Sequence, residues 1–195
     1  SPRRCSTTCA ASRASRSKLR EPLRLRLADQ GEVLHHRGRG AVVDLMWHAC
    51  PPDHGEPCAW QGAGGVLSRL DDASWNQLIE DGTPLNRVWK SRLDEIARHL
   101  RDLQDAGVAV LWRPLHEMNQ GQFWWGGRPG PRGTARLYQI THDYLERQKG
   151  LTNLVWVWDV QDLDWTWASY DPGDGYWDVL AMDMYGDGYT TQKYD

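Results

Sequence analysis

No run of about 18 consecutive apolar residues occurs in this 195-residue sequence, so no segment is long and apolar enough to cross a membrane as a helix. Neither an EF-hand loop nor a His/Glu metal motif is present, and no cofactor is expected. Net charge is small, at −3, and no basic patch interleaved with aromatic rings follows residue 40, so the usual footprint of a nucleic-acid partner is missing. Length is also limiting. The chain can bury one ordinary core but falls short of the roughly 250 residues of a complete (β/α)₈ barrel.

What is present is tryptophan. Twelve Trp stand beside a single Phe, more than packing alone leads one to expect, and such a surplus favours ligands that stack on rings. Charge is unevenly spread. Residues 1–40 carry ten Arg or Lys against three acids, whereas the remainder is acidic. We therefore divide the chain into an atypical basic leader, 1–39, and an α/β domain, 40–195. The leader lacks the apolar segment of a signal peptide and reads as disordered or as a weakly matching domain start, although Leu23, Leu25 and Leu27 alternate with Arg24 and Arg26 as in a short strand.

Four cysteines bear on the redox compartment. Cys5 and Cys9 lie in the leader, while Cys50 and Cys58 bracket the loop PPDHGEP, which can bring them within disulfide distance. The rival is a metal site of both cysteines with His48 and His54, although its spacing departs from the usual zinc motifs. A disulfide points outside the cytosol.

From Gly40 onward strand and helix patterns alternate. Strands are expected over Val42–Met46, Val108–Trp112, Leu151–Trp158 and Trp177–Met184; helices over Ser74–Glu80, Leu85–Ala106 and Thr134–Gln148. In the second helix Trp89, Leu93, Ile96, Leu100 and Leu103 form one apolar stripe, with Gly107 as its stop; in the third, Leu137, Ile140, Thr141, Tyr144 and Leu145 face inward. A polar and aromatic loop with Trp165, Trp167 and Tyr170 precedes the last strand, and Asp159 and Asp162 are placed in that loop. Every strand leads into polar or aromatic residues at its C-terminal end, where parallel sheets bind ligands.

The densest chemistry lies in VAVLWRPLHEMNQGQFWWGG, Val108–Gly127, where an apolar strand ends in a carboxylate followed by rings. Glu117 is a candidate general acid, with Phe123, Trp124 and Trp125 as flat surfaces for pyranose rings. Its plain alternative is a salt bridge to Arg113. His116 reads as an orienting donor, a general base or a satisfied loop histidine, with the first favoured. Asn119 can hold a sugar hydroxyl or simply form a turn.

RPLHEMN followed by QFWWG resembles glycoside hydrolase family 26, chiefly β-mannanases; DLMWHACPP, NLVWVW and DVLAMDMYG are similar to further strand ends of that family over residues 40–188. The resemblance implies a (β/α)₈ TIM barrel of which this chain holds the middle strands and helices. It also implies retaining hydrolysis of β-1,4-mannan. Glu117 would be the acid/base at the end of strand four, with His116 beside it. His48 would contact the sugar before the scissile bond, Trp125 would join the aromatic platform, Tyr185 would orient the nucleophile and Asp183 would support the polar floor. Trp47 and Trp124 would be wall or packing residues. The nucleophile implied is a Glu on strand seven, which falls beyond Asp195, and the first two strands are not recognisable in residues 1–40. Asp183, Asp159 and Asp162 are weak substitutes for it. β-1,3-Xylan and mixed-linkage β-glucan are alternative substrates, and binding of a glycan without cleavage is an alternative function. The intact protein is expected to be an extracellular monomer whose partner is β-mannan or a related polysaccharide.

Overall fold

The computed structural model describes residues 42–163 and 165–185, with side chains for all of these but 165 and 166. The leader 1–39, with Cys5, Cys9 and the Leu23–Leu27 alternation, lies outside the described residues, as does the side chain of Trp165. Four strands, β1 (Val43–Trp47), β2 (Val110–Pro114), β3 (Leu154–Gln161) and β4 (Val179–Asp183), pair in parallel and in sequence order. Helices α1 (Asp72–Ile79) and α2 (Pro84–Asp105) connect β1 to β2, and α3 (Thr134–His142) leads into a π-helical turn (Asp143–Gln148) before β3. A 3₁₀ turn, Trp165–Tyr170, precedes β4, where the sequence suggested only a loop. Parallel strands in order with helical crossovers make a partial (β/α) barrel, with a subset of its strands and helices among the described residues.

Local sequence explains the helix ends. The Asp71 side chain accepts the Ser74 N–H to start α1, and Thr83 accepts the Asn86 N–H with Pro84 opening α2. The α2 stripe is buried as its spacing predicts. Gly107, at φ 68°, turns the chain out of the helix, and the Val108 N–H still bonds the Leu103 carbonyl. Val108 thus belongs to the helix terminus, and β2 begins two residues later than the apolar run suggests.

The third strand is displaced for a similar reason. The Thr152 N–H bonds the Gln104 side chain, and the Asn153 amide donates to the Val108 carbonyl, so Leu151–Asn153 form the connection from helix to strand. Strand β3 then runs on to Gln161, pairing Asp159 with Ala181 and Gln161 with Asp183. Asp159 is therefore a strand residue and not part of the following loop. The single helix expected to Gln148 instead widens after His142; Tyr144 and Leu145 stay buried, with the Tyr144 hydroxyl on Asp94 at 2.9 Å.

The core lies between sheet and helices. Trp47, Trp112, Trp156 and Trp158 are all buried. Trp47 stacks on Trp89 at 5.1 Å, and the Trp89 indole N–H donates to Thr141 at 3.1 Å, which ties β1, α2 and α3 together. Asp44, Arg113, Asp159 and Asp183 meet on the opposite face. Because all four strands run the same way, His48, His116, Glu117 and Tyr185 arrive at one rim.

Candidate active site

Just past Pro114 the backbone leaves ordinary space. Leu115 and Glu117 have φ of 56° and 50°, a left-handed conformation that costs a non-glycine residue about 1–2 kcal/mol. Strand β3 holds this turn. The Glu117 N–H donates to Asp159 Oδ1 at 2.8 Å, and the Met118 N–H donates to the Asp159 carbonyl at 3.2 Å. Asn119 reciprocates with the Gln161 backbone, donating at 2.8 Å and accepting at 2.7 Å. The Trp125 indole fastens the His116 carbonyl at 3.0 Å.

The Glu117 side chain does not pair with Arg113. Its Oε2 accepts from Gln120 Nε2 at 3.0 Å, and its Oε1 accepts from the Tyr185 hydroxyl. That bond, with some burial, pushes the Tyr185 hydroxyl up to about 12, so it remains a donor across the working pH range. Arg113 instead meets three aspartates. Its Nε donates to Asp159 Oδ2 at 3.0 Å, Nη2 reaches both Asp183 oxygens at 2.8 Å, and Nη1 lies 3.7 Å from Asp44. Burial pushes the Asp159 carboxyl up to about 6 against the pull of the Glu117 N–H and Arg113.

His116 is buried, and burial, followed by the nearness of His48 and Arg113, lowers its imidazole to about 3. It is neutral at any ordinary pH, and its Nδ1 has no protein partner among the described residues. The His48 ring meets it edge-on at 4.7 Å. Burial also lowers the His48 pKa, opposed by the charge of Glu117. Phe123 packs 4.8 Å from His116 and stacks on Trp125 at 4.4 Å. The sequence suggested three flat faces in this cluster, but Trp124 and Trp125 are fully buried. Their indoles serve the Ala49 and His116 carbonyls, so both pack behind the rim in this structure.

Both ends of the Asn119 amide engage the Gln161 backbone, the turn role that the sequence also allowed. Asp183 pairs with Arg113. Tyr185 hydrogen-bonds Glu117 itself. Cys50 and Cys58 form a disulfide with Cα atoms 5.7 Å apart, which leaves no thiolates for the rival metal reading. Arg92 of α2 adds a second tether, donating to the Cys50 and His54 carbonyls.

Three neighbours escaped the sequence reading. Trp60 follows the disulfide loop, is 49% exposed, and meets His48 edge-on at 5.0 Å and Phe123 at 6.1 Å. An isolated Trp ahead of Gly62, Gly64 and Gly65 was its only signal. Gln120 is three residues from Glu117 within a turn, a spacing that could have flagged it. Asp159 was placed in the wrong element, and its partner lies too far along the chain for any local pattern to disclose.

Parallel strands that gather a buried carboxylate, two histidines and aromatic rings at their C-terminal rim define a (β/α)-barrel protein with its polar site in the expected place. The profile of glycosyl hydrolase family 26 matches residues 24–195, and the chain belongs to that family. It is 36% identical over 170 residues to a mannan endo-1,4-beta-mannosidase of Thermothelomyces thermophilus, covering 80% of this chain and 32% of that protein. The structure of GH26A from Muricauda sp. MAR_2010_75 superposes with a TM-score of 0.79 at 35% identity, covering 85% of this chain and 56% of that one. A β-mannanase from a symbiotic protist of the termite Reticulitermes speratus, complexed with gluco-manno-oligosaccharide, gives 0.66 at 31% identity, covering 85% of this chain and 51% of that one. The chain spans about a third of the length of the first curated relatives it matches, 32% and 33%.

Proposed function

We propose that this chain carries the acid/base half of a retaining endo-1,4-β-mannanase site, with Glu117 as the proton donor and then the base. The observation that carries this reading is the strand-end turn, which directs a buried carboxylate toward Gln120 and Tyr185 and away from the nearby Arg113. Glu117 protonates the departing sugar oxygen while a second carboxylate attacks the anomeric carbon; Glu117 then takes a proton from the water that frees the covalent intermediate, with net retention. Asp159 and Asp183 are both held on Arg113, which speaks against either being that nucleophile; a glutamate on a seventh barrel strand is the expected source. Neutral His116 and the exposed His48 border the cleavage point, and Trp60 and Phe123 supply the nearest ring surfaces. Mannan as substrate follows the family relatives, and an extracellular location agrees with the Cys50–Cys58 bridge.

Reducing-end release from β-mannan, β-1,3-xylan and mixed-linkage β-glucan by the full-length protein tests this, with Glu117→Gln assayed beside the unmodified protein. We expect cleavage of mannan, lost by at least about a hundredfold in the variant. Cleavage of xylan or glucan with mannan untouched would move the substrate assignment. A second reading, binding without cleavage, is favoured by the absence of an untethered second carboxylate around Glu117 among the described residues. It predicts mannan affinity that survives Glu117→Gln, with no polymer cut by either protein.

A further inference from the structure

Asp159 is almost wholly buried, and two of its oxygens serve the turn that carries Glu117. One carboxylate oxygen accepts the Glu117 N–H, its carbonyl accepts the Met118 N–H, and its second carboxylate oxygen is fixed by Arg113 Nε and Nη2. Both peptide N–H groups flanking the Glu117 α-carbon are therefore held by one residue of the neighbouring strand. We propose that Asp159 is a positioning residue for Glu117: braced by Arg113, it holds the strand-end turn in the left-handed conformation that aims the Glu117 carboxyl at the glycosidic oxygen. This rests on the reading of Glu117 as acid/base.

A simple ion pair would not use these atoms. Arg113 already has Asp183 on Nη2 and Asp44 close to Nη1, so its charge is compensated without Asp159. The Arg113 hydrogen bonds fall on the other oxygen; the one facing Glu117 accepts a backbone N–H that would otherwise be buried without a partner. Two left-handed non-glycine residues, Leu115 and Glu117, persist only where the surroundings over-determine them, and the hydrogen bonds from β3 do so. An Asn at position 159 keeps one acceptor oxygen but sets its amide N–H₂ against either Arg113 or the Glu117 N–H, donor facing donor. The Asn variant therefore loosens the turn, and the Ala variant releases it.

Leaving-group dependence distinguishes a misplaced acid from general damage. Cleavage of β-mannan requires a proton on the departing sugar oxygen, whereas dinitrophenolate departs from dinitrophenyl β-mannobioside without one. The ratio kcat/KM reports the bond-breaking step for both. For Asp159→Ala in the full-length protein, kcat/KM on mannan is expected to fall about a hundredfold to a thousandfold, and on the dinitrophenyl glycoside less than about tenfold, because proton transfer alone is lost. Asp159→Asn should fall between, with the same preference; it also carries the test if the Ala variant does not fold. Equal losses on both substrates would overturn the proposal, since the aspartate would then only support the fold or the binding groove. An unmodified protein that cleaves neither substrate would instead sink the acid/base reading of Glu117 on which the proposal rests.

Discussion

At the scale of the residue, His116 gives the clearest solution behaviour. Its neutral ring is enclosed by Phe123, Trp125 and His48, and a proton on Nδ1 would lack both solvent and, among the described residues, an acceptor. The unfolded chain takes up that proton near pH 6.5, the folded chain only near about 3. Below the upper value the unfolded state binds the extra proton, so stability present above pH 6.5 is lost as pH falls and stops falling below the lower value. At about pH 4.5 this term amounts to roughly 2–3 kcal/mol. Urea unfolding at neutral pH and at that lower pH should show the unmodified protein losing about that much more than His116→Gln. Equal losses would mean that the ring is charged or solvated in the fold. Residue identities at the rim were legible because RPLHEMN packs chemistry into few positions. The direction a ring faces was not: nothing in QFWWG distinguishes a Trp offered to sugar from Trp124 and Trp125, whose indoles are drawn inward by backbone carbonyls.

Among the elements, the loop leaving β1 is the one held by chemistry that packing does not supply. It is closed by Cys50–Cys58, gripped by Arg92, and delivers Trp60 to the rim. Replacing both cysteines by serine is expected to cost about 2–3 kcal/mol in denaturant unfolding, the loop-closure value for a bridge this short. No measurable loss would show that Arg92 alone shapes the loop. The end of α2 was readable because Gly107 carries a local signal. Strand limits were not. An apolar run does not record where hydrogen bonding passes from helix terminus to sheet, so Val108 and Leu151 were assigned to strands although the structure gives them to connections. The same slip put Asp159 in a loop. A charged residue inside a strand reads as a boundary until its partner, Arg113 on the adjacent strand, is known.

For the whole molecule, the relevant feature is the apolar surface beside the outer strands. Val42, Met46, Val179, Leu180 and Met184 are exposed, and among the described residues nothing pairs with the outer edges of β1 and β4. Unpaired edges flanked by apolar side chains favour association. Sedimentation velocity on the 195-residue chain should accordingly show concentration-dependent self-association; a monodisperse monomer would mean that this surface is covered in solution. The parallel sheet and its helices could be foreseen from the alternation of patterns, and the barrel from the family motif. Open edges followed from the shortfall of strands, but which apolar residues lie along them did not, because exposure depends on which strands are neighbours.

The grip of Asp159 on Glu117 also orders events in time. Glu117 leaves the ribosome 42 residues ahead of its anchor. Until β3 has been made and has docked beside β2, the turn lacks the two hydrogen bonds by which Asp159 holds it left-handed. The heading of Glu117 is thus not a property of its own segment. It comes into being with a later stretch of chain, so a nascent polypeptide bears the residue well before it bears the site.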